Sequence, residues 1–398
     1  MLNLILKITG KCVFNCVYCS ASDNRGGDMP METLEKTLFS FADLLRTADR
    51  KKASIIFHGG EPLATGLEYF EKFMPKTPEI FNGLDVSFKA QTNGYLINEE
   101  WCAFFRKYGI SPGISIDGCR VIHDACRVLP DGRGTYDTVM KNLAMLDAKG
   151  VSHSSIAVFS PFFREHETEF AGWLIENRMS MRVNPAMAMG AGAAKNELVP
   201  RPGEYSDFLI FLYETLLKKN CDLCVNPITD FVDSTLEGAR MSECSLGNSC
   251  GSAFICVDHE GGIYPCGRFS DINAMKCGDI SNTSLYEAYN SENMRSLRAR
   301  AESDSRAECG GCAHMKCCSG GCAAVSFAAN GNIHLKNPLC EDYKKLFDYF
   351  RGAGLDMLKN SLIERKKVLR EFIKNNFDRE NDNPGKTVGN DEITGGRP

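Results

Sequence analysis

Apolar positions in the first half of the chain follow two alternating rhythms. Short runs rich in apolar and β-branched residues, Asn3 to Ile8, Ala53 to His58, Val86 to Gln91, Gly113 to Ile116, Ser154 to Phe159 and Ser180 to Asn184, read as strands. Between them lie stretches of helical period: Met31 to Ala48, Ile97 to Lys107, Thr135 to Lys149 and Glu165 to Asn177. Strands alternating with helices predict a parallel sheet with helical crossovers. Six such units fit a partial (β/α)6 TIM-like barrel, an α/β architecture, over residues 1–202.

The rhythm then changes. Tyr205 to Lys218 and Pro227 to Leu236 are helical and form a bridge over 203–243. From Cys244 to Cys340 glycine and cysteine dominate and apolar periodicity fades, so metal is expected to order a second domain over 244–345. A charged helix is expected over 346–377, and the tail 378–398, rich in Asp, Asn and Gly, reads as disordered.

Composition narrows the possibilities. The formal charge of -5 and the lack of a basic stripe argue against a nucleic-acid partner. No run approaches the ~20 apolar residues of a membrane span, and the first seven residues are too short for a signal peptide, so a cytoplasmic protein with no membrane partner is expected. With no export signal, the 19 cysteines are better read as metal ligands than as disulfides.

Cys12-x3-Cys16-x2-Cys19 follows the first predicted strand, at the strand end where barrel enzymes place their chemistry. Three thiolates can hold three irons of a 4Fe-4S cubane and leave the fourth open, whereas zinc would want a fourth ligand close by. This spacing, with Tyr18 before the last cysteine, resembles the radical S-adenosylmethionine (SAM) superfamily. Gly59-Gly60-Glu61-Pro62, after the second strand, matches that family's GGEP motif, whose glycines are expected to let backbone approach the SAM amino group. Gln91 and Asn93 after the third strand, Ser115 and Asp117 at the fourth, and Arg127 occupy positions where the resemblance implies polar contacts to SAM.

Further on, Cys244-x5-Cys250-x15-Cys266 is followed by Cys309-x2-Cys312-x5-Cys318-x3-Cys322 and by Cys340. The pattern resembles the SPASM extension of radical SAM proteins. The resemblance implies two interleaved auxiliary 4Fe-4S clusters, one on Cys244, Cys250, Cys266 and Cys322, the other on Cys309, Cys312, Cys318 and Cys340. Spacing alone leaves open a zinc-bound module without catalysis. Cys221, Cys224, Cys256, Cys277 and Cys317 fit no ligand slot and read as structural or surface thiols.

Asp117-Gly118, His123-Asp124, Arg127 and Gly134-Thr135-Tyr136-Asp137 resemble the peptide- and protein-modifying branch that includes anaerobic sulfatase-maturating enzymes and ribosomal-peptide maturases. The resemblance implies a peptide or protein substrate, modified by a thioether or carbon–carbon crosslink or another change at carbon, and a flavodoxin- or ferredoxin-type reductant. Only eleven residues precede Cys12, so a leader, if one is read, would be read elsewhere. In the maturases an aspartate follows the cysteine that matches Cys266 and is thought to take a proton from the substrate; here Gly267 stands there. This departure argues against formylglycine formation unless Asp271 enters the site, and it suggests that Arg268 binds an acidic peptide segment. The sequence names no catalytic base.

Overall fold

The computed structural model describes residues 1–19, 26–189, 196–238, 241, 244–247, 249–302 and 309–381. Its frame is one ten-stranded sheet. The strands are β1 (Leu2–Lys7), β2 (Lys52–His58), β3 (Asp85–Thr92), β4 (Ser111–Ser115), β5 (Ser154–Phe159), β6 (Met181–Pro185), β7 (Val225–Asn226), β8 (Phe254–Val257), β9 (Gly262–Tyr264) and β10 (Gly278–Asp279). Their order is β10-β9-β8-β1-β2-β3-β4-β5-β6-β7. From β8 through β1 to β7 all neighbours are parallel, and only β9 and β10 run antiparallel.

The six expected strands are all present, each within two residues of its expected ends, and the partial barrel is the core of the sheet. The sheet nevertheless extends past six strands at both edges. The bridge supplies β7, and the cysteine-rich segment supplies β8, which pairs Asn3 with Phe254 and Leu6 with Val257.

Alternation in β1 fixes what faces where. Leu2, Leu4 and Leu6 are fully buried against the outer helices, and Asn3, Ile5 and Lys7 turn the other way, toward the barrel interior. The helix Met31–Thr47 covers this layer with Leu34, Leu38, Phe41 and Leu45, each such side chain contributing roughly 1.5–3 kcal/mol on burial. The helix Glu99–Tyr108 starts where the Asn98 side chain accepts from the Trp101 amide, 2.9 Å, and its Trp101 and Phe104 pack edge-on against Phe70.

The cysteine-rich segment is more regular than its sequence suggests. It contains the helices Glu292–Glu302 and Ala323–Asn330 and a small core of Cys256, Tyr264, Phe269, Met275, Leu297, Ala323, Ala324 and Ile333. Buried Arg300 donates to the carbonyls of Gly320 and Gly321, both at 3.0 Å, and to that of Ile333. Backbone carbonyls gathered by one guanidinium leave no apolar period to read. After Cys340 the expected single helix is two, Cys340–Arg351 and Ala353–Asn381, broken at Gly352. Of the tail read as disordered, residues 382–398 lie outside the described residues.

Candidate active site

The loop after β1 carries Cys12, Cys16 and Cys19 and is tied down on every side. Thr9 and Lys11 both donate to the Asp28 carboxylate at 2.7 Å. The amides of Asn15 and Val17 donate to the carbonyls of Val128 and Cys126, at 2.7 and 3.0 Å. Across the gap, the amides of Gly60 and Glu61 donate to the carbonyls of Thr9 and Lys11, at 2.9 and 2.7 Å. A Cβ on Gly59, whose φ is +146°, would sit 2.3 Å from the Thr9 carbonyl oxygen, and one on Gly60 would sit 2.3 Å from that of Lys11. The backbone that demands these glycines is therefore the cysteine loop itself, a nearer cause than the ligand approach expected from the sequence.

A cavity of about 520 Å³ opens beneath this loop. Its lining includes Cys12, Cys16, Cys19, Tyr18, Gly59, Gly60, Gln91, Asn93, Ser115 and Arg127 from the barrel, and Cys244, Cys250, Cys266 and Cys322 from the cysteine-rich segment. Gln91 donates to the Ser115 hydroxyl at 3.1 Å. Cys12 and Cys16 both hold their protons more tightly than free thiols. Burial, then Glu61 and Cys19, push Cys12 up to about 11 against the pull of the Phe14 amide, and burial pushes Cys16 up to about 12 although Arg127 opposes it.

Three residues expected on the wall stand behind it: Glu61, Pro62 and Asp117 are buried and do not line the cavity. The Glu61 carboxylate accepts from the Thr92 hydroxyl and the Asn93 amide at 2.7 Å and from the Leu63 amide at 3.0 Å. It thereby binds the end of β2 to the end of β3. Burial lifts it to about 7 against these three donors. Asp117 accepts from Arg127 Nε and Nη2 at 2.9 and 3.0 Å, from the Val158 amide at 2.9 Å and from the Tyr18 hydroxyl. Arg127 in turn lies over the Tyr18 ring, 5.4 Å from its centre. Glu61 and Asp117 therefore position the wall residues Asn93, Arg127 and Tyr18.

His123 completes this support. Its Nδ1 accepts from the Asp117 amide at 3.2 Å and its Nε2 meets the Thr135 hydroxyl at 3.0 Å, which donates to the Arg127 carbonyl at 2.8 Å. Burial holds His123 down to about 4, so the ring is neutral with its proton on Nε2. Asp124 accepts from the amides of Thr135 and Tyr136 at 2.7 and 2.9 Å. The motif residues from 117 to 137 are thus a scaffold for Arg127.

The eight later cysteines fall into two places. Cys244, Cys250, Cys266 and Cys322 share the large cavity and affect one another's ionisation. Cys309, Cys312, Cys318 and Cys340 ring a separate small void with His314, Lys336 and Lys344. Among the described residues no three His, Cys, Asp or Glu side chains close around one point as a lone metal ion requires. The sulfurs of a ZnS4 site stand roughly 3.8 Å apart, the edge of a tetrahedron with 2.3 Å bonds, whereas the corners of a cubane hold their ligands wider. Thiols that share a void without closing on one point suit clusters better than a lone zinc ion.

Arg268 lines the cavity and donates through Nη1 to Cys322 Sγ at 3.2 Å, so part of its guanidinium is directed at a thiol. Asp271 is exposed and off the cavity wall. The five cysteines without a slot stay outside both groups; Cys256 is fully buried, Cys224 is exposed, and Cys317 accepts from Arg351 at 3.2 Å. Sequence reasoning missed Lys7 and His58, which both line the cavity. The signal was present as a lone lysine at an inward position of β1 and a histidine directly before the glycine pair.

A parallel barrel whose first loop and cysteine-rich cap present thiols to one shared cavity defines an enzyme built around iron–sulfur chemistry. Residues 6–174 match the radical SAM superfamily and residues 244–314 the SPASM iron–sulfur cluster-binding domain. The chain therefore carries a radical SAM domain followed by a SPASM domain, and its cofactors are SAM and 4Fe-4S clusters. It is 24% identical to the serine-type anaerobic sulfatase-maturating enzyme of Bacteroides thetaiotaomicron, over 91% of this chain and 92% of that one. It is 26% identical to the cysteine-type enzyme of Clostridium perfringens, over 87% and 96%. Among solved structures, anSMEcpe with bound AdoMet and the Cp18Cys peptide superposes with a TM-score of 0.78 at 23% identity, covering 90% of this chain and 99% of that one. Streptococcus suis SuiB bound to its precursor peptide SuiA superposes with 0.57 at 18% identity, over 85% and 74%. No helix among the described residues is long and apolar enough to cross a membrane.

Proposed function

We propose that this enzyme modifies a peptide or protein at carbon and that its product is not formylglycine. The observation that carries this reading is the shared cavity, which runs from Cys12, Cys16 and Cys19 to Gly267 and on whose described wall no carboxylate stands. In this reading Cys12, Cys16 and Cys19 hold the SAM-binding cluster, and Tyr18, Gly59, Gly60, Gln91, Asn93, Ser115 and Arg127 hold SAM. Cys244, Cys250, Cys266 and Cys322 hold one auxiliary cluster, and Cys309, Cys312, Cys318 and Cys340 the other. Reductive cleavage of bound SAM supplies a 5'-deoxyadenosyl radical that removes hydrogen from a substrate carbon. The residues around it orient and keep the site dry: Asp117 fixes the Arg127 fork, His123 and Thr135 fix the Arg127 backbone, and Glu61 fixes Asn93. A small reductant of the flavodoxin or ferredoxin type delivers the electron.

Peptide substrates are supported by the relatives, two of which are sulfatase-maturating enzymes and one of whose structural counterparts binds a precursor peptide. Those names also favour a second reading, formylglycine formation. A base for that step must lie within ~2.6–3.2 Å of its proton or one water away, and neither Gly267 nor exposed Asp271 provides one. The deciding experiment incubates anaerobically reconstituted enzyme, SAM and reductant with a sulfatase-derived peptide containing Cys-x-Pro-x-Arg. Mass spectrometry should show no aldehyde beyond a single turnover; repeated turnover to formylglycine would establish the second reading.

A further inference from the structure

Lys7 and His58 are direct partners in the parallel register of β1 and β2, so their side chains stand side by side on the inner face of the barrel. Both line the cavity. The Lys7 ammonium donates to the buried Ser270 hydroxyl, which itself donates to the Gly267 carbonyl at 2.9 Å. An ammonium has three donors, and no carboxylate among the described residues lies in ion-pair contact with this one. The other cations of the wall are engaged, Arg127 by Asp117 and Arg268 by Cys322. His58 Nδ1 meets the Gly59 amide at 2.8 Å and the Gly59 carbonyl at 3.1 Å; in the tautomer that accepts the shorter of these bonds the proton stands on Nε2, from which no described residue accepts. Burial and neighbouring Lys7 hold the ring down to about 4, so it is neutral.

A partly desolvated ammonium without an anionic neighbour is costly unless a ligand brings the anion. The two adjacent donors, one charged and one neutral, match the two oxygens of a carboxylate. We infer that Lys7, with His58 beside it, forms a carboxylate-binding corner that selects a substrate peptide bearing an acidic group next to the residue to be modified. The inference rests on the peptide-modifying reading and names the chemistry of that substrate. It also sharpens the contrast at Gly267, since the corner where the maturases' pattern implies an acid here presents a cation. The corner lies on β1 and β2 beside the Cys266–Ser270 loop, whereas the polar row Gln91, Asn93 and Ser115 lies on and just after β3 and β4. The peptide is therefore the better source of the carboxylate than the methionyl end of SAM.

The test uses reconstituted holoenzyme, SAM, reductant and synthetic decapeptide pools that differ only in Asp and Glu against Asn and Gln, each made with a free acid or an amide end. The readout is 5'-deoxyadenosine formed above the peptide-free rate. Acidic pools should stimulate roughly ten- to a hundredfold more than amide pools. Lys7→Met should bring that ratio close to one and Lys7→Arg should restore it. Discrimination that follows only the chain end would place a C-terminal carboxylate in the corner, within the inference. Equal stimulation by all pools, or a ratio that survives Lys7→Met, overturns it. So does a Lys7→Met enzyme whose only change is weaker SAM binding. Saturation-transfer NMR with N-acetyl-aspartyl amide and N-acetyl-asparaginyl amide tests the corner separately on the SAM-bound holoenzyme. If no pool stimulates but the aspartyl probe alone binds, and binds through Lys7, the corner stands and the peptide reading falls. If the aspartyl probe does not bind, the corner itself is refuted.

Discussion

The two groups of four cysteines near the carboxyl end come from one short stretch of chain, yet they sit in opposite surroundings. Cys244, Cys250, Cys266 and Cys322 open onto the cavity that also holds the first-loop thiols. Burial raises Cys244 to about 12 and Cys266 to about 11, while Arg268 and the amides of Val325 and Ala324 outweigh burial at Cys322 and hold it below the usual thiol range. Cys309, Cys312, Cys318 and Cys340 lie apart from that cavity, beside half-exposed Lys336 and Lys344, which share Glu341. Buried Tyr343 stands between the groups and feels both Cys322 and Cys318. Chain order does not decide membership, because Cys322 lies between Cys318 and Cys340 in sequence and belongs with the inner group in space. The inner group helps to form the large cavity, whereas the outer one lies beside the lysine-bearing surface.

The sharpest way to break this comparison is to remove groups one at a time. Cys12, Cys16 and Cys19 changed together to Ala should abolish reductive cleavage of SAM while about eight of ~12 irons remain, since the other ligands lie outside the barrel loop. Continued formation of 5'-deoxyadenosine would move the active site elsewhere. Next in size, Cys309→Ala with Cys318→Ala should lose about four irons and cut turnover at least ~10-fold with a protein reductant, yet leave SAM binding intact. Cys266→Ala with Cys322→Ala should lose a similar number of irons and also disturb the cavity wall, where Arg268 would lack its sulfur partner. Identical behaviour of the two pairs, by iron analysis and SAM titration, would erase the distinction between inner and outer.

How legible these groups were in the sequence depends on what held each residue. Strands such as Ser154–Phe159 were readable because period-two burial against helices leaves a direct trace. Cysteine spacing marked all eleven candidate ligands, of which seven line the large cavity and four the small void. The roles of Glu61, Asp117 and Arg268 were not legible. A motif records that a carboxylate is needed, and only coordinates show that Glu61 faces three donors behind the wall and that Arg268 reaches Cys322. Lys7 and His58 were missed because their significance is a register between strands some fifty residues apart, which no local window contains.

Within the barrel, the carboxylates behind the wall give smaller and more graded effects. Asp117→Asn would leave Arg127 buried without its counter-charge, and losing one partner of a buried pair costs about 3–5 kcal/mol; anaerobic thermal unfolding should register it. Glu61→Gln would replace one accepting oxygen with a donor facing amide or hydroxyl donors, at a cost of roughly 1–3 kcal/mol. Its pH dependence has a defined sign. The carboxyl rises from 4.5 when free to about 7 in the fold, so the folded state binds more protons between these values and the wild type loses stability as pH rises through that window. Relative to Glu61→Gln, the wild type should therefore be more favoured at pH 5 than at pH 8. A difference that stays flat or grows toward pH 8 would mean that Glu61 is already ionised and carried by its three donors.

The smallest expected effect bears most directly on the inner group. At Gly267 an added Cβ would meet only Ile5, at 3.4 and 3.5 Å, which is ordinary contact, and the residue has no positive φ to protect. Gly267→Asp should therefore fold and keep its iron, with a stability change within about 1 kcal/mol. The new carboxylate would stand beside Ile5 and near the Gly267 carbonyl that accepts from Ser270, the residue to which Lys7 donates. An ammonium close to a carboxylate holds it ionised, so the variant would gain the base that the maturases' pattern implies but also a counter-charge that competes for Lys7. Formylglycine on the Cys-x-Pro-x-Arg peptide should then stay absent in Gly267→Asp and emerge in Gly267→Asp combined with Lys7→Met, where the carboxylate is released from the ammonium. If the single variant already forms aldehyde over many turnovers, the base alone decides the product and Lys7 does not restrain it. If neither variant does, the difference from the maturases lies beyond this corner of the cavity.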